Sequence, residues 1–239
     1  MKIEIIKCLK DNYSYLVIDE KEKIACVIDP SEAKPIINFI NRNNIKLKYI
    51  LNTHHHFDHI GGNQELKREY NLQVIGFEGD KDRIPEIDIV VKDNQIWKGD
   101  NFEVKIYHTP GHTSGHIAFH FFKEKKIFTG DTLFSLGCGR IFEGTYEQMF
   151  NSLKKIKSLP KETKIYCGHE YTLQNSEFCL TLDKENLKLR NKIIDIKKKL
   201  KNEVPTIPST LGEEIECNIF LKAKDIESFS KLRHLKDNF

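Results

Sequence analysis

From Lys2 to Asp29 apolar positions return every second residue. Ile3 and Ile5 alternate with charge, Tyr13, Tyr15 and Val17 repeat the period, and Ile24 to Ile28 is a compact apolar run closed by Asp29-Pro30. A period of two turns one face to a core, so this stretch predicts short strands joined by hairpins. The period then changes. Ile36, Ile37, Phe39 and Ile40 recur at helical spacing between Glu32 and Asn43, and Asn43-Asn44 stops them. Leu47 to Leu51 reads as a buried strand, a helix follows Gly61-Gly62 to about Tyr70, and Leu72 to Phe77 is again a strand before a loop-rich segment around Pro85. Strands resume at Phe102 to Tyr107, His116 to Phe122 and Lys126 to Thr129. Strands joined by both hairpins and helices predict an α/β class, a mixed sheet system with helices packed outside.

The second half is helical. Met149, Phe150, Leu153 and Ile156 lie at helical spacing from Tyr146 to Ser158, Pro160 ends them, and Lys164 to Cys167 is a last short strand. Lys184 to Glu203 predicts a long lysine-rich helix with Leu189, Ile193, Ile196 and Leu200 as its apolar stripe. Thr210-Leu211-Gly212-Glu213 has the form of a capping box, and Ile226 to Lys236 is a further helix. These changes place a boundary near Tyr171, between a mixed domain over residues 1–170 and a small helical one over residues 171–239.

Composition narrows the classes. The chain has 239 residues, 39% hydrophobic and 31% charged, with a net charge of +3, a globular composition that gives no general argument for nucleic acid. The Lys197-Lys198-Lys199 cluster reads as the wet face of an amphipathic helix. No apolar run approaches the roughly 18 residues of a membrane span, and the N-terminus lacks the apolar core of a secretory signal, so the expected location is the cytoplasm. The six cysteines, Cys8, Cys26, Cys138, Cys167, Cys179 and Cys217, form no CxxC pair and read as free thiols of a reducing compartment.

The chemistry concentrates in Thr53-His54-His55-His56-Phe57-Asp58-His59. His54 and His56 are two apart, so on an extended backbone they point the same way and grip one ion. Asp58 and His59 follow where the chain turns before Gly61-Gly62 and face a second. His112, Asp131 and His169 each sit where a predicted strand exits into a loop, the usual place for sites in α/β folds. One allotment gives His54, His56 and His112 to one divalent ion and Asp58, His59 and His169 to another, with Asp131 bridging. Two ions about 3.5 to 4 Å apart can share a hydroxide whose pKa falls toward neutrality. An imidazole-rich set suits zinc best, with iron or manganese as alternatives. His116 reads as a partner that orients a ligand; His55, His108, His120 and His234 read as strand or surface residues.

Thr53 to His59 resembles the THxHxDH signature of the metallo-β-lactamase superfamily, and His112, Asp131 and His169 fall in the remaining ligand motifs. Leu9-Lys10-Asp11-Asn12-Tyr13, Gly130-Asp131-Thr132-Leu133-Phe134, Gly137 to Thr145, Cys167 to Thr172 and Pro205 to Glu214 look like glyoxalase II, the hydroxyacylglutathione hydrolase family. The resemblance implies a four-layer αββα domain followed by an all-helical one. It also implies hydrolysis of S-D-lactoylglutathione to D-lactate and glutathione, the second step of methylglyoxal detoxification. Asp58 and Asp131 would orient the bridging hydroxide, and the ion held by His54, His56 and His112 would stabilise the oxyanion.

Glutathione carries two carboxylates. Arg233 and Lys236, three apart on a predicted helix, share a face that can clamp one, and they match the family's glutathione-binding cations. By the same match Tyr171 and Asn175 contact the glutathione backbone, while Arg140 and Phe142 line the pocket, where some relatives have Lys and Tyr. Cys138 lies near the site without a role, since the hydroxide supplies the nucleophile. The expected partner is a small glutathione thioester handled by a monomer, without nucleic acid or membrane. The rival readings are a mononuclear iron persulfide dioxygenase on the same scaffold, a metal-dependent nuclease, and a non-catalytic glutathione-binding or metal-storage protein.

Overall fold

The structure, a computed structural model, describes residues 1–239. The chain packs as two compact units, Met1–His108 with Gly115–Glu124, and Thr109–Ser114 with Lys125–Phe239.

The first unit holds a six-stranded sheet in the order β1 (Lys2–Cys8), β2 (Asn12–Asp19), β3 (Ile24–Ile28), β4 (Lys46–Leu51), β5 (Gln73–Phe77) and β6 (Ile89–Val91). The first two pairings are antiparallel and the rest parallel, as hairpins followed by helical crossovers require. β2 and β3 are buried almost end to end; β3 accordingly reads as a continuous apolar run, whereas β2 also buries Asn12 and Ser14, the positions that its period of two left for solvent. Helix α1 (Ala33–Asn43) buries Ala33, Ile36 and Ile40, and Asn44 ends it in the left-handed conformation at φ 51°. The short α2 (Phe57–Ile60) and α3 (Asn63–Tyr70) follow β4. An antiparallel set of β7 (Ile96–Gly99), β8 (Phe102–His108) and β9 (Ile117–Phe121) completes the unit.

In the second unit β10 (Lys126–Gly130) runs parallel to β13 (Lys164–Cys167), which pairs antiparallel with β14 (Ser209–Thr210). β11 (Leu133–Phe134) and β12 (Gly137–Cys138) form a two-residue hairpin. Helices α4 (Tyr146–Lys157), α5 (Thr172–Leu182), α6 (Leu187–Lys201), α7 (Leu211–Cys217), α8 (Ile219–Lys222) and α9 (Ile226–Asp237) make up the rest. Thr210 and Glu213 form the expected capping box, and α6 buries Leu189, Ile193 and Ile196 while Lys197, Lys198 and Lys201 stay exposed. Several short or polar-faced elements escaped the sequence pattern, β7, β14 and α8 among them. The buried face of α5 includes Thr172, Asn175 and Ser176, so no apolar stripe marks it. β6 and the β11–β12 hairpin are too short to display a period. All six cysteines are buried and unbridged, and no helix is long and apolar enough to cross a membrane.

Candidate metal centre

In the first unit the end of β4 delivers Asn52, Thr53 and His54 into the interior, where all are essentially solvent-free. One turn of helix then places Asp58 and His59. Gly61 and Gly62 follow because the chain runs hard against β3's exit. A Cβ at Gly61 would lie 2.6 Å from the Ser31 carbonyl oxygen, and one at Gly62 would lie 2.8 Å from that of Pro30. The close approach brings Asp29 under the histidines. Its carboxylate accepts from Thr53 N (2.7 Å) and Thr53 Oγ1 (2.6 Å) and meets His59 Nδ1 at 3.0 Å.

These partners fix the rings. A carboxylate only accepts, so His59 Nδ1 carries the proton and Nε2 keeps its lone pair, 3.5 Å from Asp58 Oδ2. The Thr53 hydroxyl spends its hydrogen on Asp29 and therefore accepts from His54 Nδ1 at 3.0 Å, leaving the Nε2 lone pair of His54 as well. The ring of His54 lies 4.7 Å from that of His56 and 4.2 Å from that of His59. Asn12 Nδ2 donates to the backbone oxygen of Asp58 (3.1 Å) and to its Oδ2 (2.9 Å). Asp29, His54 and His59 offer ligand atoms within 4.8 Å of one another. Both Asp29 oxygens are already engaged with donors, so Asp29 orients the rings rather than ligating beside them.

In the second unit Asp131, at the exit of β10, has Oδ2 3.5 Å from His112 Nε2 and 3.4 Å from His169 Nε2. His112 Nδ1 meets the Arg140 carbonyl oxygen at 2.7 Å, again fixing the proton on Nδ1 and the lone pair on Nε2. The segment Gly137 to Thr145 is wrapped onto the His112 turn. Phe142 N donates to His112 O, Gly144 N to Gly111 O, and Glu143 accepts from Ser114 N and Oγ. Gly111 has φ +149°, a backbone open to glycine, and a Cβ on Gly144 would lie 2.6 Å from Gly111 Cα. Gly139 passes so close to Asp131 that a Cβ would meet its carbonyl oxygen at 1.8 Å.

The expected substrate residues belong to this unit too. Tyr171 stacks flat on His169, 4.6 Å between centroids and 4° between planes. Phe142 stands 61% exposed with its ring 5.1 Å from that of His112. Arg140 is exposed, with Nε 3.4 Å from Asp237. Asn175 is buried and donates to the Ser135 carbonyl at 3.1 Å. Arg233 is buried: Nη1 donates to the Cys138 carbonyl at 2.8 Å, and Nε and Nη2 lie 3.1 and 3.0 Å from Asp237. Lys236 sits half-buried between the Phe178 and Phe239 rings, where burial, and then Arg233, push its pKa down. Burial pushes the Cys138 thiol up to about 11 against the pull of Arg233, which removes it as a nucleophile.

Fixed tautomers, buried imidazoles and carboxylates opposed to them make a donor set that fits divalent metal ions and would be unfavourable as a mere interior. Sequence reasoning missed Asn12 and Asp29 as parts of it. Asn12 lies in the Leu9–Tyr13 motif with no role evident from the sequence, and Asp29 reads there only as the end of a strand.

Residues 10–169 match the family described as the metallo-beta-lactamase superfamily, and residues 170–239 match the hydroxyacylglutathione hydrolase C-terminus. Solved structures share the fold. The chain aligns over all of its length and 91% of the other with ETHE1 from Myxococcus xanthus (TM-score 0.75, 23% identity), and over 93% and 100% with BLEG-1 B3 metallo-beta-lactamase (TM-score 0.74, 22%). The expected fold class, α/β with a helical C-terminal region, therefore holds, and the chain belongs to the metallo-β-lactamase superfamily. The hydroxyacylglutathione hydrolase of Pelagibacter ubique (strain HTCC1062) is 65% identical over the full length of both chains, and that of Prochlorococcus marinus (strain MIT 9301) is 49% identical over 97% of this chain and 94% of its own. Within the superfamily it is thus one of the hydroxyacylglutathione hydrolases, the glyoxalase II enzymes.

Proposed function

We propose that the chain hydrolyses S-D-lactoylglutathione, and related S-2-hydroxyacylglutathiones, to D-lactate and glutathione at a binuclear centre, as the second step of methylglyoxal detoxification in the cytoplasm. His54, His56 and His112 would hold one ion, Asp58, His59 and His169 the other, and Asp131 both; the ions are most simply zinc, with iron or manganese as alternatives. When bound, such ions supply a nucleophile drawn from water at neutral pH and an electrophile for the carbonyl oxygen. The observation that carries the reading is the set of Nε2 lone pairs on His54, His59 and His112, each enforced by an acceptor or an already committed hydroxyl on Nδ1.

The remaining work falls to the chain. Asn12 donates to Asp58 Oδ2 and so aims that carboxylate, which would orient the attacking water together with Asp131. The departing thiolate needs no strong acid, since thiols ionise near pKa 8.5, and accordingly the motifs contain no dedicated proton donor. Tyr171, with Asn175, Arg140 and Phe142, would face the glutathione portion, and Lys236 with Arg233 would meet its carboxylate. In this reading residues 1–170 carry the chemistry and residues 171–239 the substrate preference, in a monomer. The test is purified protein of measured metal content, offered S-D-lactoylglutathione while thioester absorbance is followed. Loss of thioester that scales with bound metal is expected; intact thioester over fully loaded protein overturns the reading.

A further inference from the structure

His55 reads in the sequence as a strand or surface residue, yet its ring faces a buried carboxylate. Its Nδ1 lies 3.4 Å from Asp80 Oδ2. Asp80 closes the 3-10 turn Glu78–Asp80 after β5 and is fully buried, and the guanidinium of Arg83, which is one third exposed, donates to its Oδ1. A buried carboxylate needs such compensation. Its own backbone oxygen accepts from Arg83 N and Ile84 N at 2.9 Å, so the turn that carries it is closed.

The same carboxylate touches a second segment. A Cβ at Gly115 would lie 1.9 Å from Asp80 Oδ1 and 2.3 Å from Cγ, so only glycine fits there. Gly115 leads directly into His116, whose ring stacks on His54 at 4.8 Å and 24°, and into Ile117, whose N donates to the Thr53 carbonyl at 2.8 Å. Asp80 therefore lies against both strands of chain that bracket the His54 ring. One approaches it through the His55 ring and the other through the glycine contact.

We propose that Asp80, fixed by Arg83, is a positioning residue for the metal ligands His54 and His56, acting through His55. With the His55 ring drawn toward the Asp80 carboxylate, the two peptide units joining the ligand residues have less rotational freedom, and the neighbouring Nε2 atoms are presented in fewer arrangements. Supports of this kind change metal affinity by about 10- to 100-fold when removed.

The inference rests on the metal-centre reading, and the two fail differently. Wild-type protein that binds no divalent ion in chelator competition ends the metal reading itself. Given wild-type binding, His55→Leu removes the donor and leaves the Asp80–Arg83 pair intact. It is expected to weaken zinc binding at least tenfold while the thermal midpoint of the metal-free protein stays that of wild type. His55→Gln, which restores an N–H donor, is expected to recover to within about threefold. Asp80→Asn is expected to weaken zinc as well, and the double variant to lose no more than the worse single one, because both changes break one contact. Unchanged affinity in His55→Leu, equal losses in His55→Leu and His55→Gln, or additive losses in the double variant would each overturn the proposal.

Discussion

Glu214 is fully buried in α7, and its carboxylate accepts four donors: Ser135 Oγ (3.0 Å), Leu136 N (2.7 Å), Asn218 Nδ2 (3.2 Å) and Lys192 Nζ (3.1 Å). Leu136 sits in the turn of the β11–β12 hairpin at φ 59°, a left-handed backbone that costs a non-glycine residue roughly 1–2 kcal/mol and persists only where its surroundings impose it. Glu214→Ala leaves the Leu136 N–H without its acceptor in a fully buried position, about 1–3 kcal/mol. It also deprives Lys192 of its nearest carboxylate. Breaking a buried pair costs about 3–5 kcal/mol, and the lower end applies because Glu213 remains 3.9 Å away and the lysine side chain keeps 14% exposure. Asn218 retains the Gly137 carbonyl, so its loss is small. The expected destabilisation is about 4 kcal/mol for Glu214→Ala and about 2 kcal/mol for Glu214→Gln, which keeps the shape and one acceptor. Urea unfolding with an unchanged slope measures it. Burial alone would lower the pKa of Lys192, but Glu214 and Glu213 outweigh it and the net shift is upward. With the folded value above the unfolded 10.5, the pair's stability is fully present below that pH and is lost as pH rises through the folded value. The deficit of Glu214→Ala should therefore be constant from neutral pH to about 9 and shrink in stronger alkali. A Glu214→Ala protein within about 1 kcal/mol of wild type at neutral pH would refute the assignment of this network.

Two more expectations follow from single side chains. His120, in β9 between the Tyr107 and Phe122 rings, is held neutral: burial first, and Lys105 across the strand pair second, lower its pKa from 6.5 to about 4. Its stability contribution is complete above 6.5 and is lost as pH falls toward 4; about 1.36 kcal/mol per pH unit sets a ceiling near 3 kcal/mol, and residual solvation lowers it to about 2. His120→Phe should flatten the fall in urea midpoint between pH 6.5 and 4.5 relative to wild type, and parallel curves would refute this. Gly139→Ala would drive a methyl against the Asp131 carbonyl, 1.8 Å away before relaxation, and 3.3 Å from His112 Nδ1. It is expected to lower bound metal by at least half at equal total zinc, read by elemental analysis, and full occupancy would contradict the close approach.

How much of this was legible depends on whether the information is local. The candidate ligand stretch Thr53 to His59 was, because the residue types and their spacing are contained within seven neighbouring positions. The amphipathic helices α1, α4 and α6 were legible for the same reason. Helix α5 was not, because polar side chains share its buried face with Phe178 and Cys179: Asn175 meets the Ser135 carbonyl, and Ser176 bonds back to Leu173 O within the helix. Arg233 shows a different limit. Its spacing from Lys236 suggests a clamp for a carboxylate, and the sequence carries no sign that the guanidinium fastens the Cys138 carbonyl of a hairpin 95 residues away.

The histidines make the same point about adjacency. Asp58, next to His59 in the chain, would be the natural guess for its orienting carboxylate, yet it lies near the opposite nitrogen, Nε2. The group on Nδ1 is Asp29, 30 positions earlier. For His112 the orienting group is a backbone oxygen 28 residues later, and a carbonyl is borne by every residue type, so no composition or motif could reveal it. What can be read in advance is therefore which residues are candidates to bind metal. Which proton each ring carries is set by contacts that only folding creates, and since the lone pair follows from that proton, the competence of the site resides in Asp29, Thr53 and the Arg140 carbonyl as much as in the ligands.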